Sequence, residues 1–400
     1  VPDLDLEGLL RDKRIIVCCG SGGVGKTTVA AALGVQAALL GKRALALTVD
    51  PARRLADSLG LAELGNRETR VPEESFLRCG KRPTGSLHAM MLDTKRTFDE
   101  LIERYAPNEE AARNILGNRF YQHLSSAMTG SHEYLAMEKL YQIHLEGRYD
   151  LVVLDTPPTK HALDFLEAPG RVRAFFDRSI SQWFLKPYLT MGRLSLNLFN
   201  RTAGTILRLV ERFTGAEFLH DVSEFVTGLA DSFDIFRSRA EEVMHVLRGE
   251  QTAFLLLTST DRGALEEAAY FLERIREASL PFAGIIVNRF HAPPVSEGPA
   301  DPEGVRDSAH PDHASLAAGV SYLHETRGLP LPVAGQLMEN FDRCRRLGER
   351  DSNALEDFAR RSSGKTPIMK IPAMDEDIFD IEGLLKVNAH LFPDRQPSAS

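Results

Sequence analysis

Gly20-Ser21-Gly22-Gly23-Val24-Gly25-Lys26-Thr27-Thr28 is the stretch whose reading decides the fold. It follows an apolar run at 14–19 with strand character and opens a helical pattern over 26–40. A glycine-rich turn between a strand and a helix N-terminus is the setting that a phosphate cradle requires. Glycines let successive backbone N–H groups face phosphate oxygens, and the helix end adds partial positive charge. Gly22, Gly23, Val24, Gly25, Lys26, Thr27 and Thr28 are therefore expected to wrap the phosphates of ATP. Lys26 would neutralise the β- and γ-phosphate oxygens, and the Thr27 hydroxyl would ligate Mg²⁺.

Gly20, Gly22 and Gly25 also satisfy G-x-G-x-x-G, and Asp50 ends the next strand about where a dinucleotide fold places its ribose-binding carboxylate. Two features decide against that alternative. Lys26-Thr27 follows directly on the last glycine, where a dinucleotide fold has no phosphate-binding lysine. A further apolar strand ends in Asp155, the arrangement of a Walker-B-type aspartate.

Working outward, strands are expected at 14–19, 43–50, 87–93, 149–155, 252–258, 282–288, 331–337 and 367–371. Several are continuous apolar runs, as in strands covered on both faces. Helical patterns separate most of them, which gives an α/β class with a doubly wound, mostly parallel sheet. Ligands in such sheets bind beyond the carboxyl ends of the strands, and Cys19, Asp50 and Asp155 all fall there. Residues 1–400 read as one domain carrying helical insertions at 94–146 and 171–247. The second insertion has no strand pattern and is rich in Phe and Leu. Residues 291–313, rich in Pro, Gly, Asp and Ser, read as a mobile loop, and 393–400 as a disordered tail.

Hydrophobic residues make up 43% of the 400, enough for a sizeable core, and the formal net charge is -8. That charge argues against broad nucleic-acid binding. Cys18, Cys19, Cys79 and Cys344 form no C-x-x-C pair and no zinc-ligand spacing. Cys18 and Cys19, inside an apolar run, are expected as buried reduced thiols, which fits a cytoplasmic location. The start Val1-Pro2-Asp3-Leu4-Asp5 lacks a secretion-signal pattern. No apolar stretch approaches the ~20 residues of a membrane span, so no integral membrane segment is expected.

Asp50 lies in Thr48-Val49-Asp50-Pro51-Ala52-Arg53-Arg54. From there a carboxylate can reach a water in line with the γ-phosphate, so Asp50 is the candidate catalytic base beside Lys26. It can equally cap a helix opened by Pro51, and the two roles are compatible. Asp155, in Leu151-Val152-Val153-Leu154-Asp155-Thr156-Pro157-Pro158-Thr159, is the second candidate Mg²⁺ ligand with Thr27. The stiff Pro-Pro segment after it would transmit a shift at the γ-phosphate, as switch segments do.

Together these motifs resemble the deviant-Walker-A ATPases, the P-loop proteins of SIMIBI type. That group includes ArsA, the eukaryotic tail-anchored-protein targeting ATPase, MinD, ParA and nitrogenase iron protein. The ArsA-like branch, with its bacterial anion-transporting ATPases, is the nearest likeness. It is carried by Gly20 to Thr28, by Asp50-Pro51-Ala52 with Leu55 and Asp57, and by Asp155 to Thr159 with His161 and Phe165-Leu166. The resemblance runs from Arg14 to about Phe392. It implies that Asp50 activates the attacking water and that Asp155 belongs to a switch. Asn288 would contact adenine, although a strand-end turn explains an asparagine there as well. Residues 372–375 would flank the base from the other side.

The family places a second lysine where this chain has Ser21. The resemblance thus implies a homodimer, or a heterodimer in which a paralogous ATPase supplies the missing lysine, unless Arg53 or Arg54 substitutes. The C-x-x-C of the eukaryotic targeting dimer and a cysteine set for arsenite are both absent. The second insertion contains only Met191 and Met244 as methionines, short of an adaptable Met-rich groove. Two functions remain. One is an ATP-driven dimeric switch that binds a hydrophobic protein or small-molecule client. The other is a positioning or scaffold ATPase like MinD or ParA. MinD-like proteins end in a membrane helix, whereas residues 381–392 here carry few basic residues and are expected to dock on the body. A redox role like the iron protein's fails, because no cysteine follows the Asp155 switch where a cluster ligand is needed.

Overall fold

The computed structural model describes residues 4–50, 54–127, 131–156, 233–293, 313–362 and 366–393, together with Asp221, Phe225 and Gly228. Its strands are β1 (Ile15–Gly20), β2 (Arg43–Thr48), β3 (Thr69–Arg70), β4 (Ser86–Met91), β5 (Leu151–Asp155), β6 (Thr252–Thr258), β7 (Phe282–Phe290) and β8 (Ile368–Pro372). They form one sheet in the order β3-β4-β2-β5-β1-β6-β7-β8. Every ladder is parallel except β3–β4. The chain leaves β1 between β5 and β6, so the carboxyl end of β1 opens onto a crevice between outgoing connections, where ligands of such sheets sit.

Alternation along the strands feeds two cores, one on each face. Ile15, Val17 and Cys19 of β1 pack with Leu45 and Leu47 of β2 on one face. Ile16 and Cys18 pack with Ala44 and Ala46 on the other. Cys18 and Cys19 are buried and free, as the apolar run predicts.

In chain order the helices are α1 (Leu6–Asp12), α2 (Lys26–Leu39), α3 (Arg54–Ser58), α4 (Glu73–Arg78), α5 (Thr94–Tyr105), α6 (Glu109–Gly117), α7 (Arg119–Ala127) and α8 (Ser131–Glu146). There follow α9 (Phe233–Arg248), α10 (Arg262–Glu277), α11 (His313–Arg327), α12 (Leu331–Arg361) and α13 (Ile381–Leu391). α2 lies close on the sheet because its inner face is Ala and Gly. A Cβ at Gly34 would sit 2.9 Å from Leu87 Cδ1. α13 packs beside α2 through buried Ile381, Leu384, Val387 and Leu391. Asn388 Nδ2 donates to Ala32 O at 3.0 Å across that contact, so this helix docks on the body as its composition predicts. Among the described residues no helix is long and apolar enough to cross a membrane.

Residues 94–146 hold helices α5 to α8. Asp93 caps α5 by accepting from Arg96 N at 2.9 Å, and Asn108 caps α6 by accepting from Ala111 N at 2.8 Å. Ile102, Ile115, Tyr121 and Phe225 make a small satellite core there. Most of 171–247, most of 291–313, and 394–400 lie outside the described residues, as do Pro157 to Thr159, His161, Phe165 and Leu166.

Three expectations need correction. Residues 331–337 are not a strand but the first turns of α12. Pro332 sits in the first helical turn, where its missing N–H costs nothing. Leu331, Val333 and Leu337 are 54%, 42% and 47% exposed, whereas a strand of this sheet would bury them. A short apolar run fits either period, and proline inside it was the signal against a strand. β7 runs on to Phe290, which places Asn288 within the strand rather than at its end. β3, two residues long, carries no periodic signal and is absent from the sequence reading.

Candidate functional site

The loop after β1 is shaped by two glycines. Gly20 has φ +146, and a Cβ there would lie 2.1 Å from Leu257 O of β6. Gly25, immediately before α2, has φ +92, and a Cβ there would lie 2.2 Å from Asn288 Nδ2. No other residue fits either place. The loop thus passes tightly over β6 and β7 and delivers the N-terminus of α2, with its unpaired N–H groups, to the crevice.

Lys26 is 6% exposed and folds back over this loop. Its Nζ donates to Gly20 O at 3.0 Å and to Ser21 O at 2.8 Å. Burial pushes the ammonium below its ordinary pKa, and the charges of Asp155 and Asp50 oppose that. Ser21 is buried, and its Oγ has no hydrogen-bond partner among the described residues.

Beneath the loop, strand register assembles a second group. Asp155 stands opposite Cys18 of β1 and Thr48 of β2. Its Oδ2 accepts from Thr27 Oγ1 at 2.6 Å and from Thr48 Oγ1 at 2.9 Å. Its Oδ1 is buried without a partner among the described residues. Burial pushes this carboxyl up to about 6, against the pull of both hydroxyls and of Lys26. A buried oxygen without a donor is costly, of order 1–3 kcal/mol, so a cation or a donor belongs at that spot. The available donors, a carboxylate and a hydroxyl, are hard oxygens of the kind that suits a small divalent ion.

Asp50 lies two residues beyond β2, half-buried, and its N–H donates to Thr48 Oγ1 at 3.2 Å. Thr156, buried beside Asp155, donates from Oγ1 to Cys18 O at 2.9 Å. On the opposite side Asn288 ties β7 to the loop. Its Nδ2 donates to Val24 O at 3.0 Å, and its Oδ1 accepts from Arg289 N at 2.9 Å. Arg289 has φ +55, a left-handed conformation unusual for arginine. His291 donates from its backbone N to Asp351 Oδ2 at 3.1 Å, and its ring Nδ1 meets the same oxygen at 2.8 Å. Arg350 Nη2 reaches Asp351 Oδ1 at 2.9 Å. Burial raises the carboxyl of Asp351, but hydrogen bonds from His291, Arg350 and Thr260 outweigh it and hold the group below its usual value.

These elements enclose a cleft of about 790 Å³. Gly23, Gly25, Lys26, Thr27 and Thr28 form its floor, with Asp50, Arg54 and Asp57 on one side. Asn288, Arg289 and His291, with Ile371 to Met374 and Glu376 to Phe379, complete its lining. Of the residues expected at the site, Gly23, Gly25, Lys26, Thr27, Thr28, Asp50 and Asn288 meet in this cleft, and Asp155 lies under its floor. Gly22 and Val24 do not line it, Val24 being turned into the core. Pro372 lines the cleft as expected, whereas Asp375 does not. Sequence reasoning missed Thr48, which only the β2–β5 register connects to Asp155. It also missed Arg289, His291 and residues 376–379, which carry no motif.

A family model described as anion-transporting ATPase matches residues 13–300. A protein of Aquifex aeolicus, named as a candidate arsenical pump-driving ATPase, is 29% identical over 265 residues, covering 60% of this chain and 59% of that protein. The ATPase GET3 of Malassezia globosa is 32% identical over 167 residues, which is 41% of this chain and 46% of that one. The ATPase get3 of Aspergillus terreus is 23% identical over 291 residues, 72% of this chain and 77% of the relative. Against the first two, the chain spans about half the length of the curated relatives it matches, at 59% and 46%.

Proposed function

The chain belongs to the anion-transporting ATPase family, and on that premise we propose that it is an ATPase that binds ATP with Mg²⁺ and hydrolyses it. One observation carries the reading: Thr27 and Asp155 share a hydrogen bond directly under a glycine loop that also holds Lys26. Gly23, Gly25 and the first N–H groups of α2 would hold the phosphates, with Lys26 leaving its two carbonyls to neutralise them. Thr27 and Asp155 supply oxygen donors that fit Mg²⁺, which when bound offsets charge on the β- and γ-phosphates. Asp50 takes a proton from water as the water oxygen bonds to the γ-phosphorus. The bond from that phosphorus to the β,γ-bridging oxygen breaks, and the electron pair leaves with ADP. Asn288, Arg289 and the segment 371–379 provide the wall for the base.

ATP hydrolysis in this reading drives a dimeric switch. Ser21 cannot supply a cation, so that charge comes from a paralogous ATPase in a heterodimer or from this chain's own cleft, and the nucleotide state governs a hydrophobic client. Printed names of the relatives, arsenical pump-driving ATPase and GET3, support a coupled ATPase without fixing the client. The apolar face of α13 is covered by α2, so this helix is not itself a membrane-binding surface of the MinD kind. Free cysteines fit a reducing, cytoplasmic setting. The test is phosphate release by the purified chain with Mg·ATP, alone and after affinity isolation from native cells. Asp50→Asn should keep nucleotide binding and lose turnover by about 10²–10⁴-fold. Unchanged turnover in Asp50→Asn removes it from the mechanism, and no nucleotide binding by the wild type removes the ATPase.

A further inference from the structure

Charge on the walls of the cleft poses a problem for a triphosphate. Asp50, Asp57, Glu376 and Asp377 all line it, against Lys26, Arg54 and Arg289. Lys26, once it leaves the carbonyls of Gly20 and Ser21, is a single charge in the loop, and Ser21 adds none. The two arginines lie on either side of β1 in the sheet order. Arg289 follows Asn288 on β7. Arg54 opens α3 shortly after Asp50 and lines the cleft together with Asp50, Asp57 and Thr27.

Arg54 is held in an unusual way. Its backbone is anchored, because Leu55, Ala56 and Ser58 are 1%, 3% and 4% exposed. Ser58 Oγ also donates to Arg54 O at 2.7 Å. Its side chain is exposed and makes no ion pair among the described residues, although Asp57 stands one turn further on. A guanidinium that ignores a carboxylate at i+3 while facing an anion site is placed for a ligand. The planar fork of arginine matches phosphate oxygens, and a cation at a transferring phosphoryl group stabilises charge that develops in the transition state.

We propose that Arg54 is the cation for the terminal phosphate in this chain, supplied from its own cleft and replacing the charge that Ser21 lacks. This rests on the ATP reading above. Arg54 neither takes nor gives a proton. It binds the γ-phosphoryl oxygens while water attacks and ADP leaves. It therefore reads the presence of the third phosphate and does nothing for ADP.

The test compares Arg54→Ala and Arg54→Lys with wild type, using Mg·ADP and the slowly hydrolysed Mg·ATPγS as titrants and Mg·ATP for turnover. Expected for Arg54→Ala is a loss of about 10² in kcat, comparable to removing one charge-stabilising donor. ATPγS affinity should fall about tenfold, with ADP affinity within about twofold of wild type, in line with one charge-assisted contact. Arg54→Lys should recover part of both, since it keeps the charge and loses the fork. Equal loss of ADP and ATPγS affinity, or unchanged kcat and ATPγS affinity, would overturn the assignment. Failure of the wild type to bind either nucleotide would instead overturn the ATPase reading.

Discussion

Replacing Asp155 with asparagine isolates the most unusual electrostatic feature of the cleft. This carboxylate is 1% exposed, one oxygen has no partner among the described residues, and burial lifts its pKa from the ordinary 3.8 to about 6. Between about pH 4 and pH 6 the folded chain therefore holds a proton here that the unfolded chain gives up. A carboxyl with a raised folded pKa favours folding most below the unfolded value. That contribution fades as pH rises through about 6. Integrating the proton difference between pH 8 and pH 5 gives about 1.4 kcal/mol of extra stability at the lower pH. Asparagine keeps an acceptor for Thr27 and Thr48 and has no proton to lose. Every other titrating group is common to both proteins and cancels in the comparison. Urea unfolding followed by circular dichroism, in chelator and without nucleotide, should be run on both proteins at both pH values. Wild type should gain about 1.4 kcal/mol more than Asp155→Asn on going from pH 8 to pH 5. A difference near zero, or one favouring the variant, would mean that Asp155 is ordinary and solvated, and the argument for a cation site beneath the loop would fall.

Two further substitutions probe the walls. Gly25→Ala adds a Cβ 2.2 Å from Asn288 Nδ2 at φ +92 and should cost about 2 kcal/mol of stability. Nucleotide affinity should fall with it, measurable by urea unfolding and by titration with Mg·ADP. Asp351→Ala strips a fully buried carboxylate from His291 and Arg350. It should cost about 2 kcal/mol in the same unfolding assay, the worth of lost charge-assisted hydrogen bonds whose remaining partners reach solvent.

Much of the fold was legible because its strands are long and apolar and its loop is glycine-coded. Residues 14–20, 43–48, 151–155 and 252–258 announce themselves by composition, and the helix opened by Lys26 follows from the loop. The error at 331–337 came from reading hydrophobicity without weighing Pro332, whose place in a first helical turn is as natural as it is wrong in a sheet. Site chemistry was legible where a single residue type carries it, as with Lys26, Thr27, Asp50 and Asp155. It was not legible where function depends on register or on distant chain segments. Thr48 meets Asp155 only because β2 and β5 pair in parallel at that level. Asn288 lines the cleft as expected, and its amide also ties β7 to Val24 O over Gly25, a relation across 264 positions that local sequence cannot show.

The central claim is that this cleft binds a nucleotide by its phosphates through Lys26. Calorimetric titration of the full chain with Mg·ADP, wild type against Lys26→Ala, tests it most directly, because binding needs no partner's help in turnover. The structure predicts one nucleotide bound per chain by wild type, and an affinity at least about tenfold weaker once the charge at Lys26 is gone. Equal affinity in the two proteins, or no binding by the wild type, would contradict it.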